Sequence, residues 1–342
     1  MKKSEHVNGR TLKKFQNILT VFLSVLAVIA ILGIIYFGIK DKQRTGSEIT
    51  IVEVLKTEDN NFEEIIIDIG NSDILIKPSI DEKINIKYYQ RSTNTYKYTT
   101  DSNSIKLIEN HNFSIVSCSG VYFEKVQTII SIPADYKGSI DISTTNGIID
   151  ISDINNLSVV NLSSSNGKIM INNISTERYV KLSTTNGNVE IINSNFNSYL
   201  NIKTTNGQID IKDNVCAGNI DLKTSNSMVT LARLSAKDLN ISTINSPVYC
   251  SVVDVKNVEF HIKNGSLNIS NIIAQNIIGK ATNGSINISI VGLLNDYNID
   301  LVTTNGNLYV NDDSTNGYID NNSDNSIELK TSNGSIKVNF IK

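Results

Sequence analysis

Thr144-Thr145-Asn146-Gly147 returns as Ser164-Ser165-Asn166-Gly167, Thr184-Thr185-Asn186-Gly187 and Thr204-Thr205-Asn206-Gly207, each time twenty residues further on. Looser copies end at Asn226, Asn245, Asn264, Asn283, Asn305 and Asn333. A short fixed period makes repetition the organising fact of the chain. Counting from the Asn as zero, position −6 is apolar in every copy, from Ile140, Val160, Val180 and Leu200 to Ile327. So are −4 (Ile142, Leu162, Leu182), +3 (Ile149, Ile169, Val189) and +5 (Ile151, Ile171, Ile191). Two small residues, Gly279 at −4 and Cys250 at +5, are the departures.

Alternate residues of a strand face one side, so each pair of columns is the apolar face of a strand. A lone hairpin would leave that face wet and be marginal. Stacked copies bury it in one continuous core, and equal spacing suits coils of equal perimeter. The expected fold class is all-β: a single-chain β-solenoid, or β-helix, of about ten 19–20-residue coils, preceded by one transmembrane α-helix. A series of antiparallel hairpins is the rival. Asn-Gly is the strongest short turn signal, because both residues tolerate positive φ. The Thr at −2 and the Asn at zero continue the inward alternation, so both are expected to point in and stack as ladders. Position +8 mixes Ile154, Ile174 and Leu234 with Ser194 and Asn214, which suggests a return side of exposed, variable loops.

Upstream, Ile18 to Ile39 carries no charge and no proline. At about 1.5 Å per residue it reaches across a hydrocarbon core of roughly 30 Å. It is too long for the apolar part of a cleaved signal peptide and lacks a small-x-small site. The expectation is an uncleaved signal anchor: a basic cytoplasmic tail over 1–17, a transmembrane helix over 18–39, a juxtamembrane spacer over 40–61, an irregular β cap with the first coils over 62–137, and solenoid repeats over 138–342. Basic residues concentrate before the helix, which favours a cytoplasmic N-terminus and an extracellular C-terminal domain on a single-pass cell-membrane protein.

The chain's formal charge of −3 hides an asymmetry. Residues 1–44 hold eight basic and two acidic side chains; of 31 basic and 34 acidic residues, 23 and 32 therefore lie beyond them, a net of −9. So acidic a region argues against a nucleic-acid partner. Cys118, Cys216 and Cys250 are odd in number and lack CxxC spacing, so they read as buried thiols. His6, His111 and His261 are too scattered for a metal or catalytic cluster. Asp312, Asp313, Asp320 and Asp324 match no calcium-loop spacing and read as a solvated loop. No catalytic, cofactor-binding or metal residues are assigned, and no cofactor is expected.

Ile130-Ser131-Ile132-Pro133, followed by Ser139-Ile140-Asp141-Ile142-Ser143-Thr144-Thr145-Asn146-Gly147, resembles a bacterial family of β-strand-repeat domains of unknown function labelled as candidate adhesins. The resemblance covers roughly residues 62–342. It implies a surface-exposed β-solenoid, commonly on one N-terminal membrane anchor, and some members accompany envelope-stress genes. Its motif residues are structural and carry no catalytic signature.

Three functions follow for comparison. The first is a membrane-anchored surface binding protein or envelope scaffold, held in the bilayer by residues 18–39 and meeting a cell-wall or surface protein or glycan. The second is an accessory of a cell-envelope stress response. The third is a polysaccharide-acting β-helix enzyme, which needs paired carboxylates; Asp141, Asp150, Glu190, Asp210 and Asp221 are the candidates. They alternate with Asn, Lys, Ser and Thr as a solvated face does, and the chain has no Trp for sugar stacking. Binding is favoured over catalysis, at outward strand positions, on the return side near +8, and at 88–125 and 311–325.

Overall fold

A computed structural model describes residues 51–59, 61–91, 95–110 and 127–342. The proposed transmembrane segment 18–39 and tail 1–17 lie outside the described residues, as do Cys118, His6 and His111. Among the described residues no helix is long and apolar enough to cross a membrane.

The repeats are parallel coils in register. Val160 pairs with Ile140 on one side and Val180 on the other, and Val180 pairs with Leu200. The column continues through Ile220, Leu239, Val258 and Ile277. The second strand of each coil stacks likewise, as Ile149, Ile169, Val189, Ile209 and Val229. This pairing excludes the hairpin series. The four apolar columns are buried in one core, with Leu308 partly buried against it. Burial of each such side chain contributes about 1.5–3 kcal/mol. Gly279 and Leu329 are register partners, and a Cβ on Gly279 would lie 2.7 Å from Leu329 Cδ2. The missing side chain is therefore space that the neighbouring coil fills. Cys216 and Cys250 are buried free thiols, and burial pushes both thiols up.

Three expectations about the coil are corrected. First, the Thr at −2 is buried but the Asn at zero faces solvent. The alternation breaks at the corner, where −1 and zero both turn outward and Gly turns in. Second, Gly147, Gly167, Gly187 and Gly207 do not have left-handed φ, so the corner is not a tight hairpin turn. Glycine is required by contact: a Cβ on Gly167 would stand 1.7 Å from the carbonyl oxygen of Gly147, and one on Gly187 would stand 1.9 Å from that of Gly167. Third, position +8 is a buried column, not an exposed loop. Ile154, Ile174, Leu234, Val253 and Ile272 fill it, and Ser194 and Asn214 are buried there too. Asn214 accepts from the Ser194 N–H (2.8 Å) and donates to the carbonyls of Ile191 (3.0 Å) and Lys212 (2.6 Å), which satisfies its amide. In the coil of Asn283 the apolar role passes to Ile290, which pairs with Ile272, while Val291 at +8 is half-buried.

The ends are stacked out of chain order. Strand Glu64–Ile69 lies between Ser139–Thr144 and Ser104–Asn110. Asp73–Pro78 lies between Ile149–Ser152 and Gln127–Ile132. The first coil in sequence is thus second in space. The other end mirrors this. Asn325–Asn333 is inserted between Asn276–Asn283 and Tyr297–Asn305, and Ile336–Ile341 between Ile286–Val291 and Leu308–Val310. Val338, Phe340 and Ile341, although last in sequence, therefore belong to an interior coil. Antiparallel strands cover the outer edges: Thr95–Thr100 and Ile84–Arg91 at one end, Asp313–Ser314 and Tyr318–Ile319 at the other. At the second end the new edge strands are only two residues long, which leaves little template for a further chain. The acidic 311–325 segment is this edge cover; Asp312 pairs with Lys337, and Asp320 accepts the Asn322 N–H (2.9 Å).

Candidate functional site

The strand stacks on either side of the Asn corner, the first sheet before it (position −6 to −4) and the second after it (+3 to +5), carry different outward columns. On the second sheet, position +4 runs Asp150, Met170, Glu190, Asp210, Thr230, Tyr249, Asn268, Asn287 and Lys337, each the register partner of the next. Beside it, position +6 is small over four successive coils: Ala232, Ser251, Ser270 and Ser289. Small residues there let the ledge sink between the +4 side chains and the next corner. A shallow groove of about 710 Å³ results, lined by Thr230, Tyr249, Asn268, Asn287 and these serines, with Lys337 and Asn339 at one end. Asn287 donates to Asn268 (3.0 Å), and Tyr249 is 43% exposed, a ring available for contact.

Electrostatics divide this face. Glu190 is ion-paired with Lys168, and Asp210 accepts from Gln208 Nε2 (2.8 Å). Burial raises the Asp150 carboxyl, and the Lys168 charge opposes that rise. The acidic half ends at Asp210. From Thr230 to Asn287 the column is uncharged.

The five carboxylates considered for catalysis are not brought together. Asp150, Glu190 and Asp210 line the second sheet, while Asp141 and Asp221 lie on the first, in the column Asp141, Asn161, Lys181, Asn201, Asp221. Asp221 accepts from Tyr199 Oη and from Asn240 Nδ2 (2.8 Å). Groove residues all come from one sheet, so it is a ledge and lacks an opposing wall to carry a second carboxylate across a bound sugar. Among the described residues no group of three or more His, Cys, Asp or Glu is placed to hold a metal ion. The His261 imidazole meets Glu259 at 2.8 Å on the exposed first sheet. The small +6 column is the feature sequence reasoning missed. Its signal is weak, a run of Ala and Ser at one offset of a repeat.

The other periodic surface is the corner. Asn71, Asn146, Asn166, Asn186, Asn206, Asn226, Asn245, Asn264, Asn283, Asn333 and Asn305 form an unbroken amide ladder, each bonding the next at 2.6–2.9 Å. These groups satisfy one another along the stack, which marks the ladder as structural.

In-register parallel coils with a hydroxyl–asparagine–glycine corner define a repeat β-solenoid. The chain belongs to the Toastrack DUF4097 family, whose profile matches residues 62–221 and 199–340. No curated protein matches it. Among solved structures it is similar to a candidate cell adhesion protein from Clostridium sporogenes, at 13% identity, TM-score 0.28, covering 85% of this chain and 100% of that one. A candidate adhesin from Bacteroides fragilis matches at 14% identity, TM-score 0.34, covering 85% and 97%.

Proposed function

We propose that the chain is a single-pass membrane protein of the bacterial cell surface, anchored by residues 18–39, whose solenoid is a rigid, non-catalytic binding module held outside the cell. The observation that carries the reading is the groove from Thr230 to Asn287: neutral amides and hydroxyls at coil spacing, with Tyr249 exposed among them and Lys337, ion-paired to Asp312, at one end. Such a ledge suits an extended, uncharged, hydrogen-bonding partner, as a surface glycan strand is. The net charge of the region disfavours polyanions. Its single continuous core makes it a stiff spacer, fitting adhesin-like contact or envelope scaffolding. The stress-response accessory reading rests on no feature of the described residues.

Two experiments test this. On intact cells, a membrane-impermeant amine reagent should label the exposed Lys181, Lys203 and Lys223; labelling only after lysis refutes the outside location. Replacing Tyr249 with Ala and Ser270 with Lys should abolish capture of isolated cell-wall glycan while leaving the β-sheet spectrum intact. Unchanged capture, or capture lost only on altering the acidic half, removes the groove from the account.

A further inference from the structure

The asparagine ladder has a chemical consequence. Asn-Gly is the sequence at which a backbone nitrogen most readily attacks the preceding side-chain amide, since glycine offers no Cβ to hinder it. The attack joins Gly N to Asn Cγ, breaks the Cγ–Nδ2 bond and releases ammonia; the amide proton goes to solvent base. Water then opens the cyclic imide to aspartate or isoaspartate. The chain presents this dipeptide at most ladder corners, mostly on the surface; Asn71, Asn226 and Asn245 are followed by serine instead.

The fold holds off the reaction by occupying the attacking nitrogen. The N–H groups of Gly147, Gly167, Gly187 and Gly207 each donate to the hydroxyl at −2, at 3.1, 2.8, 2.9 and 2.9 Å. Gly265, Gly284 and Gly334 donate instead to the carbonyls of Asn283, Asn333 and Asn305, at 2.9, 2.9 and 3.0 Å. Gly317, off the ladder, donates to Thr315 Oγ1 at 3.1 Å. The attacked amide is pinned too, since an interior ladder asparagine both donates and accepts. Among the described Asn-Gly pairs, Asn305–Gly306 differs on both counts. Thr303 Oγ1 donates to the Gly334 carbonyl, and the exposed Gly306 N–H has no hydrogen bond. Asn305 Nδ2 donates to Asn333 (2.8 Å), and no residue donates to its Oδ1 because the stack ends there.

We infer that Asn305–Gly306 is a spontaneous deamidation site that opens the solenoid from one end. The acid product has no Nδ2 to give Asn333, and the isoaspartate form adds a methylene to the backbone where Asn305 and Asn333 are in register. Loosening this rung frees the Gly334 N–H, which is held by the Asn305 carbonyl. The reaction then advances through space, from Asn305 to Asn333 to Asn283, an order that chain position does not give. At the opposite end Asn71 is followed by Ser72, so the ladder has one vulnerable terminus.

The test is site-resolved peptide mapping by mass spectrometry of the full chain, incubated folded in mildly alkaline buffer. Asn305 should convert first, at least about tenfold faster than Asn146, Asn166, Asn186 or Asn206, the ratio set by an opening difference of about 1.4 kcal/mol. Asn333 should follow before Asn283. In denaturant the Asn-Gly sites should converge to similar rates. Thr184→Val frees the Gly187 N–H and should bring Asn186 up towards the Asn305 rate. Should that variant unfold, the folded wild-type ranking still decides. Interior sites converting as fast as Asn305 in the folded chain, or Asn305 persisting while another ladder asparagine converts, overturns the inference.

Discussion

Each coil turns at two well-defined corners, and they are built on opposite principles. At one, the Asn recurs in every coil of the ladder, usually within Thr-x-Asn-Gly. At the other, seven residues after the Asn, the chain takes a left-handed conformation at Asp153, Asn173, Asn193, Asp213, Arg233, Val252 and Asn271, with φ between 50° and 60°. Sequence is conserved along the stack at the first corner and drifts at the second. Steric exclusion by a neighbouring backbone leaves only the smallest residues, glycine at most corners and serine at Ser72, Ser227 and Ser246. A left-handed φ leaves several, at a cost of about 1–2 kcal/mol when the residue carries a Cβ and no helpful polar group. Regularity in a repeat therefore records where coils touch, more than where the chain bends.

That contrast can be broken in graded steps. The largest effect belongs to Gly187→Ala, whose new methyl meets an unyielding carbonyl; urea unfolding should show a loss above about 3 kcal/mol. Thr184→Val is next, at about 1–3 kcal/mol, because the buried Gly187 N–H loses its acceptor. Gly279→Ala should cost about 1 kcal/mol, since the atom in the way is the mobile end of Leu329. Smallest, and opposite in sign, is Val252→Asn, which relieves a β-branched residue held at φ 56° and should raise stability by about 1 kcal/mol in the same measurement. A loss on Val252→Asn, or tolerance of Gly187→Ala, would reverse the ranking of the corners.

Much of the fold was legible in the sequence, for reasons visible in particular columns. Ile149, Ile169 and Val189 repeat because the core leaves no choice, and counting from the Asn recovers them directly. The outward turn of Asn146 was hidden because strand alternation was carried across a corner, where the backbone no longer alternates. Ser194 and Asn214 concealed a buried column, since two polar residues look like solvent exposure until their hydrogen bonds are seen. The groove is fainter still: Ala232, Ser251, Ser270 and Ser289 carry no signature beyond being small. The order of coils at the ends was not readable at all. Ile299, Ile327 and Ile277 occupy equivalent places in identical columns, so any of the three coils could stack on another with the same register. The antiparallel edge strands decide it, because an outer coil must have chain available to cover its open side.

The central structural claim is that coils stack in register and that the last coil in sequence is inserted beneath the one before it. Paired cysteines test it most directly, since a disulfide needs Cα atoms within about 4.4–6.8 Å and adjacent coils lie about 4.8 Å apart. Under mild oxidation, the double variant Asn305→Cys with Asn333→Cys should crosslink, as should Asn283→Cys with Asn333→Cys. The pair Asn283→Cys with Asn305→Cys should remain reduced, being two coils apart. Efficient crosslinking of 283 to 305, with none between 283 and 333, would show that the coils follow chain order and would contradict the account.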